Sequence, residues 1–304
     1  MADFIANTLI QALTFGIAGL GAAVAFRVVR YPDLTADGSF MLGAAVFASM
    51  VSSTGNWVQA LLLATLAGAI AGGLTSILNA RFGVSRLLSG IITTMAAYSV
   101  AFRFLGGRPN AGLAIEHTMF AAPSGVSGTS FTLLVAALFA SILGLGLWHL
   151  LRSQLGLLLR LTGTNPALVT DLGRSPAIYR VIGLSIGNGL IGLSAALVSA
   201  QQGFADINLG VGVVVTLIAA LVLGEQIISL LPGGSRARIA PRTLGPFIGA
   251  AAYFALFLLA LKASIEGWIP FSLEPTDLKI ISAVLLVLVV AFRRNRWKEE
   301  VLPL

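Results

Sequence analysis

The sequence contains no cysteine, so no disulfide, thiolate nucleophile or cysteine-ligated metal can form anywhere in its 304 residues. Histidine is almost as scarce: His117 and His149 are the only 2, they lie far apart, and the scattered carboxylates show no metal-ligand spacing. Charge is thin, at 10% of residues, where a soluble domain carries about 25%. No glycine-rich phosphate loop of the form GxxxxGKS or GxxxxGKT occurs, so the chain does not bind and hydrolyse ATP by that route. No secretory signal is expected either. Asp3 stands where a basic region would be, and the first apolar segment reads as a retained span.

What is present is apolar surface. Hydrophobic residues make up 57% of the chain, with 34 glycines and a mean hydropathy of +0.94. That composition defines an all-α, polytopic helical membrane protein in one transmembrane domain over residues 1–304. Glycine at this level suits helices whose backbones pack closely in lipid. The net charge of +7 would suggest nucleic acid in a soluble protein. Here the basic residues lie between apolar runs and read as topology signals, so no nucleic-acid partner is expected.

Segments long enough to cross the hydrocarbon fall near residues 5–26, 57–79, 86–105, 131–151, 180–200, 211–231 and 245–265, with shorter ones at 38–53 and 278–292. That makes about nine spans, within a range of roughly eight to ten. With the N-terminus outside, the inner loops and tail hold Arg27, Arg30, Arg81, Arg86, Arg152, Arg160, Arg174, Arg180, Arg236, Arg238, Arg242, Arg293, Arg294, Arg296 and Lys298. The outer side keeps Arg103, Arg108, Lys262 and Lys279 from the total of 19. This separation puts the C-terminus in the cytoplasm. Tryptophan agrees: Trp57 and Trp268 fall at outer ends, Trp148 and Trp297 at inner ends. The outer connections are residues 103–130, expected as a loop with a short surface helix, and 266–277. Residues 232–243 read as an inner turn with headgroup-contacting arginines.

The longest polar interruption that also looks helical is LTGTNPALVTDLGRSPAIY, residues 161–179. Gly163, Thr164, Asn165 and Pro166 read as a helix start, a polar cap followed by proline at the first helical position. Gly173 and Pro176 end it after about two turns. Such a short, charged, capped helix on the inner side is a docking element.

Two further stretches place polar residues ahead of apolar runs. In the first, Asp33, Thr35, Asp37 and Ser39 precede the short second span; in the second, Gln201, Asp206 and Asn208 precede the seventh. Their opposite orientations are those of an inverted repeat. One reading is a pair of broken or re-entrant elements lining a water-filled path, because an aspartate at the bilayer centre costs about 2.5–3.5 kcal/mol on insertion scales. The other is a pair of ordinary interfacial loops. Inside the spans, Thr94 and Tyr98 share a face one turn apart, although Thr93 and Thr94 could equally bond back to their own helix. Asn188 and Glu225 complete the polar set. Gly183-Leu184-Ser185-Ile186-Gly187 matches a nucleophile-elbow spacing, but it lies within a span without a histidine base and reads as a helix-packing pair, like Gly68/Gly72 and Gly245/Gly249. No catalytic constellation is present, and the chain is not expected to be an enzyme.

The stretches YPDLTADGSFMLGAAV, LTGTNPALVTDLGRSP and INLGVGVVVTLIAALVLGE, in that order, resemble the permease subunits of ATP-binding cassette importers, in the branch of branched-chain amino acid and ribose permeases. YPDLTADGSF and SGIITTMAAYSVAFRFLGGRPN are similar to the tryptophan/tyrosine-type permeases within it. The resemblance implies a homodimer in the bacterial inner membrane, two cytoplasmic ATPase subunits carrying ATP and magnesium, and an external binding protein that delivers a small polar solute. It also implies that residues 161–176 form the coupling loop. The ATPase contacts carried over are Gly163, Thr164, Asn165, Pro166, Ala167, Leu168, Asp171, Leu172 and Gly173. Thr164 departs from the acidic residue often found before the asparagine. An ion-coupled secondary transporter is the alternative class; it would share the repeat and buried aspartates but have no need of the inner capped helix.

Overall fold

In the computed structural model, which describes residues 2–230 and 239–265 and the single positions 280, 284 and 287, nearly every element is helical. Helix α1 (Ala2–Ala23) ends in a π-helical turn (Val24–Val28) and is followed by α2 (Thr35–Thr54), α3 (Trp57–Phe82) and α4 (Arg86–Phe104). A short strand β1 (Asn110–Gly112) and a 3-10 turn (Ile115–His117) precede α5 (Gly128–Arg152), α6 (Gln154–Thr164), α7 (Pro166–Asp171) and α8 (Pro176–Gln202). Strand β2 (Phe204–Asp206), a 3-10 turn (Ile207–Gly210), α9 (Val213–Leu230) and α10 (Ile239–Ile265) follow.

Among the described residues 6 helices are long and apolar enough to cross a membrane, in α1, α3, α4, α5, α8 and α10, and α9 contributes a shorter apolar stretch, Val213–Ser229. The chain is an integral membrane protein. The expected second span is longer than its apolar core, running Thr35–Thr54, because its first turn is polar. The expected ninth span (278–292), the outer connection 266–277, Trp268, Trp297 and the basic tail lie outside the described residues, as does most of the 232–243 turn.

Helix boundaries follow local chemistry. The Asn56 side chain accepts from the Val58 and Gln59 amides to start α3, and Ser85 and Ser127 cap α4 and α5 in the same way. The expected outer surface helix is the single 3-10 turn Ile115–His117, and beside it β1 pairs antiparallel with β2, Asn110 opposite Asp206. That ribbon clips the long connection after α4 to the break between α8 and α9.

Glycine sets how closely the helices approach. A Cβ on Gly68 would strike the Asn188 carbonyl and one on Gly72 the Leu184 carbonyl, so α3 and α8 touch backbone to backbone. Likewise, a Cβ on Gly224 would strike the Gly245 carbonyl and one on Gly249 the Ala220 carbonyl, which joins α9 to α10. The nucleophile-elbow spacing around Ser185 is continuous helix within α8, the wrong backbone for that chemistry. Outward faces stay apolar, with Leu62, Leu66 and Ile70 on α3 and Leu134, Leu138 and Ile142 on α5 exposed, as surfaces meeting lipid chains. Replacing Gly68 or Gly72 by valine is expected to destabilise the bundle by about 1–3 kcal/mol, read as a lower melting temperature in detergent; unchanged melting would contradict the α3–α8 crossing.

Candidate functional site: two helix breaks that meet inside the bundle

The first break begins where α1 widens into its π turn. The Val29 amide bonds back to the Val24 carbonyl at 2.9 Å and the Tyr31 amide to Ala25 at 2.9 Å. Arg30 then takes φ +54°, a left-handed conformation unusual for a residue with a Cβ. The chain doubles back and delivers Asp33, fully buried, beside the middle of α8. Asn188, near the centre of α8, is the receiver. Its amide donates to Asp33 Oδ2 at 2.6 Å and to the Leu184 carbonyl at 3.1 Å, and its carbonyl accepts from the Ser39 hydroxyl at 2.7 Å. These partners fix the amide orientation. Asp33 Oδ1 accepts from the Thr35 amide at 2.9 Å, so the carboxylate also satisfies a backbone group exposed by the start of α2.

A hydroxyl chain extends from there. Thr35 Oγ1 lies 2.6 Å from Thr75 Oγ1, which donates at 2.8 Å to Thr93 Oγ1. Thr93 donates back to the Ser89 carbonyl at 3.0 Å. Thr75 also reaches the Ala71 carbonyl at 3.2 Å, and in the Thr35–Thr75 pair either hydroxyl can donate. All three threonines are buried. Polar groups from α2, α3, α4 and α8 thus close on one another in the interior, as buried polar groups must.

The second break mirrors the first. Asp206 accepts from the Asn208 amide at 2.6 Å, two residues on, just as Asp33 accepts from Thr35. The chain then runs inward until Gly210 lies against the Asp37 carbonyl and Met41. Here the breaks meet. Asp37 on α2 accepts from the Gly212 amide at 3.2 Å and the Val214 amide at 2.7 Å, so a carboxylate of one break caps the first turn of α9 in the other.

The structure therefore brings Asp33, Thr35, Ser39 and Asn188 together and sets Asp37 on the adjoining contact. Thr94 meets the same break from α4, whereas Tyr98, Gln201, Asp206 and Asn208 stand apart from it. Gln201 meets Thr14 at 3.4 Å, and Asp206 and Asn208 stay at the ribbon end. Thr94 donates to the Leu34 carbonyl at 2.9 Å rather than to its own helix, and Tyr98 is 46% exposed on α4. Thr75 was missed by sequence reasoning, since one threonine in an apolar helix carries no periodic signal. The partnership of Arg27 and Glu225 was also missed. Arg27 Nε lies 2.7 Å from Glu225 Oε1 and its terminal nitrogen donates to Oε2 at 2.8 Å, an ion pair with one hydrogen bond that joins the π turn to α9.

At the arginine-rich end of the bundle, α5 and α8 are connected by α6 and α7. Asn165 ends α6 and caps α7 by accepting from the Leu168 amide at 3.2 Å, with Pro166 at the first helical position. Gly173, at φ +70°, follows α7, and Pro176 opens α8. Val169 is fully buried and anchors α7, whereas Leu168 is 40% and Leu172 56% exposed. Thr164, Pro166, Ala167 and Asp171 are exposed too. Gly163 differs: it lies within α6, half-buried, where a Cβ would strike the Val28 carbonyl. It contacts the π turn of its own chain rather than presenting a free outer surface.

A polytopic helical bundle with two opposed breaks meeting in its interior belongs to the class of membrane permeases. Residues 4–291 match the family described as branched-chain amino acid transport system / permease component, and the chain belongs to that family. It is 29% identical to a tyrosine transport system permease protein of Clostridioides difficile, over 94% of this chain and 90% of that protein. Identity is 33% to the uncharacterised protein RP368 of Rickettsia prowazekii, over 88% and 89%. The autoinducer 2 import system permease protein LsrC of Salmonella paratyphi B is 27% identical over 74% of this chain and 62% of its own length. PsaBC from Streptococcus pneumoniae, solved in complex with Fab, shares the fold with a TM-score of 0.54 at 15% identity, covering 93% of this chain and 90% of that one.

Replacing Asn188 by leucine is expected to orphan Asp33 and Ser39 together, at about 1–3 kcal/mol for each group left without its partner. Thermal unfolding in detergent measures this. Gln201→Leu, which removes one 3.4 Å contact, should change melting far less; equal effects would contradict the bridging role of Asn188.

Proposed function

We propose that this chain is the membrane-spanning subunit of an ATP-driven importer that carries a small polar solute, an amino acid such as tyrosine, into the bacterial cytoplasm. The observation that carries this reading is α7, a capped helix at the arginine-rich end that keeps Leu168 and Leu172 uncovered on a loop that hydropathy leaves in water. Exposed leucines beside polar neighbours suit a protein partner. A chain without a phosphate loop needs such a partner for ATP. The solute class is supported by the name of the Clostridioides difficile relative.

In this reading the chain is one permease domain, with residues 161–176 as its coupling loop. Thr164, Asn165, Pro166, Ala167, Leu168, Asp171, Leu172 and Gly173 face an ATPase subunit that carries ATP and magnesium; Gly163 supports the loop from behind. The distribution of arginine supports an inner-membrane orientation with the N-terminus outside and the C-terminus in the cytoplasm. A second copy completes the path, and an external binding protein meets the connection clipped by the β1–β2 ribbon.

Transport then follows from a two-state bundle. ATP binding closes the ATPase pair and displaces α7, and the helices around the breaks tilt between outward and inward access. Asp33, Thr35, Asp37, Ser39 and Asn188 line or brace the interior of that path, with Thr94, Tyr98, Gln201, Asp206 and Asn208 nearer its margins. Because the carboxylates are already bonded to backbone amides and Asn188, they present few unpaired charges. That suits a net-neutral polar solute better than an ion.

Asn165→Lys combined with Leu168→Asp is expected to lower co-purification of the co-expressed ATPase subunit by about tenfold or more, while the permease stays inserted and folded. Tyrosine uptake in the same cells should fall with it. Retained ATPase binding in that variant would contradict the proposal.

A further inference from the structure

If α7 receives a push, something must carry it to the two breaks, and residues 24–39 touch α6 behind it as well as α8 and α9. Behind α7, α6 seats against the π turn: Gly163 is packed on the Val28 carbonyl so closely that no side chain fits. Leu159 of α6 is fully buried in one cluster with Val24, Val28, Val29 and Tyr31. Gly183, close to the start of α8, meets the Val29 side chain in the same way. A rigid contact of this kind transmits displacement, because close-packed interiors have no slack to absorb it.

From the π turn the chain reaches α9 twice. Arg27 pairs with Glu225 in the second half of α9, its terminal nitrogen donating to Oε2 at 2.8 Å and its Nε 2.7 Å from Oε1. Asp37 holds the Gly212 and Val214 amides at its first turn. The two grips lie in opposite halves of one helix and come from one short stretch of chain. Between them lie the left-handed Arg30 and the non-helical run to Asp33, where dihedral change can be taken up without breaking a helix. π turns recur at functional sites in helices, for the reason that they are local and reversible departures from α geometry.

We infer that the π turn Val24–Val28 is the relay that carries motion from the ATPase-docking loop to α9, with Arg27 and Glu225 as the positioning residues that make α9 follow. The relay rests on the importer reading above. Its content is that removing the ion pair disconnects α9 from the loop while the ATPase still docks. A merely structural ion pair would affect folding or assembly and would not selectively abolish a response to nucleotide.

The absence of cysteine makes the test direct. A nitroxide on Ser229→Cys, exposed at the end of α9, reports helix position in the complete permease–ATPase complex in proteoliposomes. The complex of the otherwise unsubstituted chain should change its spectrum on adding magnesium and the non-hydrolysable analogue AMP-PNP. In Arg27→Gln or Glu225→Gln the change should shrink about fivefold or more, with ATPase co-purification and ATP hydrolysis retained. The swap Arg27→Glu with Glu225→Arg should restore it. A full spectral change in either single variant, or none in the parent complex despite bound ATPase, would overturn the relay and leave the importer reading standing. Failure of the ATPase to co-purify with the parent chain would remove that reading, and the relay with it.

Discussion

An aspartate buried inside a membrane bundle has to be satisfied by the protein itself, and Asp33 is held by the Asn188 side chain and the Thr35 amide. Hydrocarbon offers no hydrogen bonds, so every amide released where a helix starts inside the bundle needs an internal acceptor. Asp33 and Asp37 supply these acceptors: one bonds the Thr35 amide at the start of α2, the other the Gly212 and Val214 amides at the start of α9. Asn188 then ties Asp33 and Ser39 to the centre of α8. The close crossing of α3 and α8 at glycine is what lets this bridge form, since Gly68 and Gly72 pack on the very turn that carries Asn188.

The same constraint shapes the proposed mechanism. Two helices that begin inside the bundle, gripped by carboxylates from a shared stretch of chain, can be tilted without exposing a free backbone end. Irregular backbone is confined to places where protein covers it, and the ends of the bundle carry the partner-facing elements. α7 is small, capped and anchored by Val169 alone, while α6 behind it is locked against the π turn. In the proposed reading this division separates a replaceable docking surface from a rigid transmission.

Much of this was legible in the sequence, for physical reasons. Long apolar runs announce spans because hydrocarbon thickness fixes their length, and the helices agree with the expected segments within a few residues for α3, α4 and α8. The breaks were visible because aspartate in an apolar chain is costly enough to demand an explanation. Asn165 and Pro166 announced the start of α7 through local capping chemistry. What stayed hidden depends on distant pairing. Thr75 joins the network only because α2 and α4 flank it, and Arg27 meets Glu225 across most of the chain. Helix α6 was hidden for a local reason: it follows α5 with no loop between them, and only Ser153 marks the boundary, ending one helix and capping the next.

The central claim is that the chain turns back after the π turn, so that α2 starts inside the bundle against α3. Thr35 and Thr75 are the direct reporters, because their hydroxyls lie 2.6 Å apart, within reach of a disulfide once both are cysteine. A chain that otherwise has no cysteine can carry Thr35→Cys and Thr75→Cys with a protease site inserted between α2 and α3. The account predicts that copper phenanthroline links the pair, so that the cleaved fragments migrate together until reduced. Fragments that separate without reductant after oxidation would contradict it.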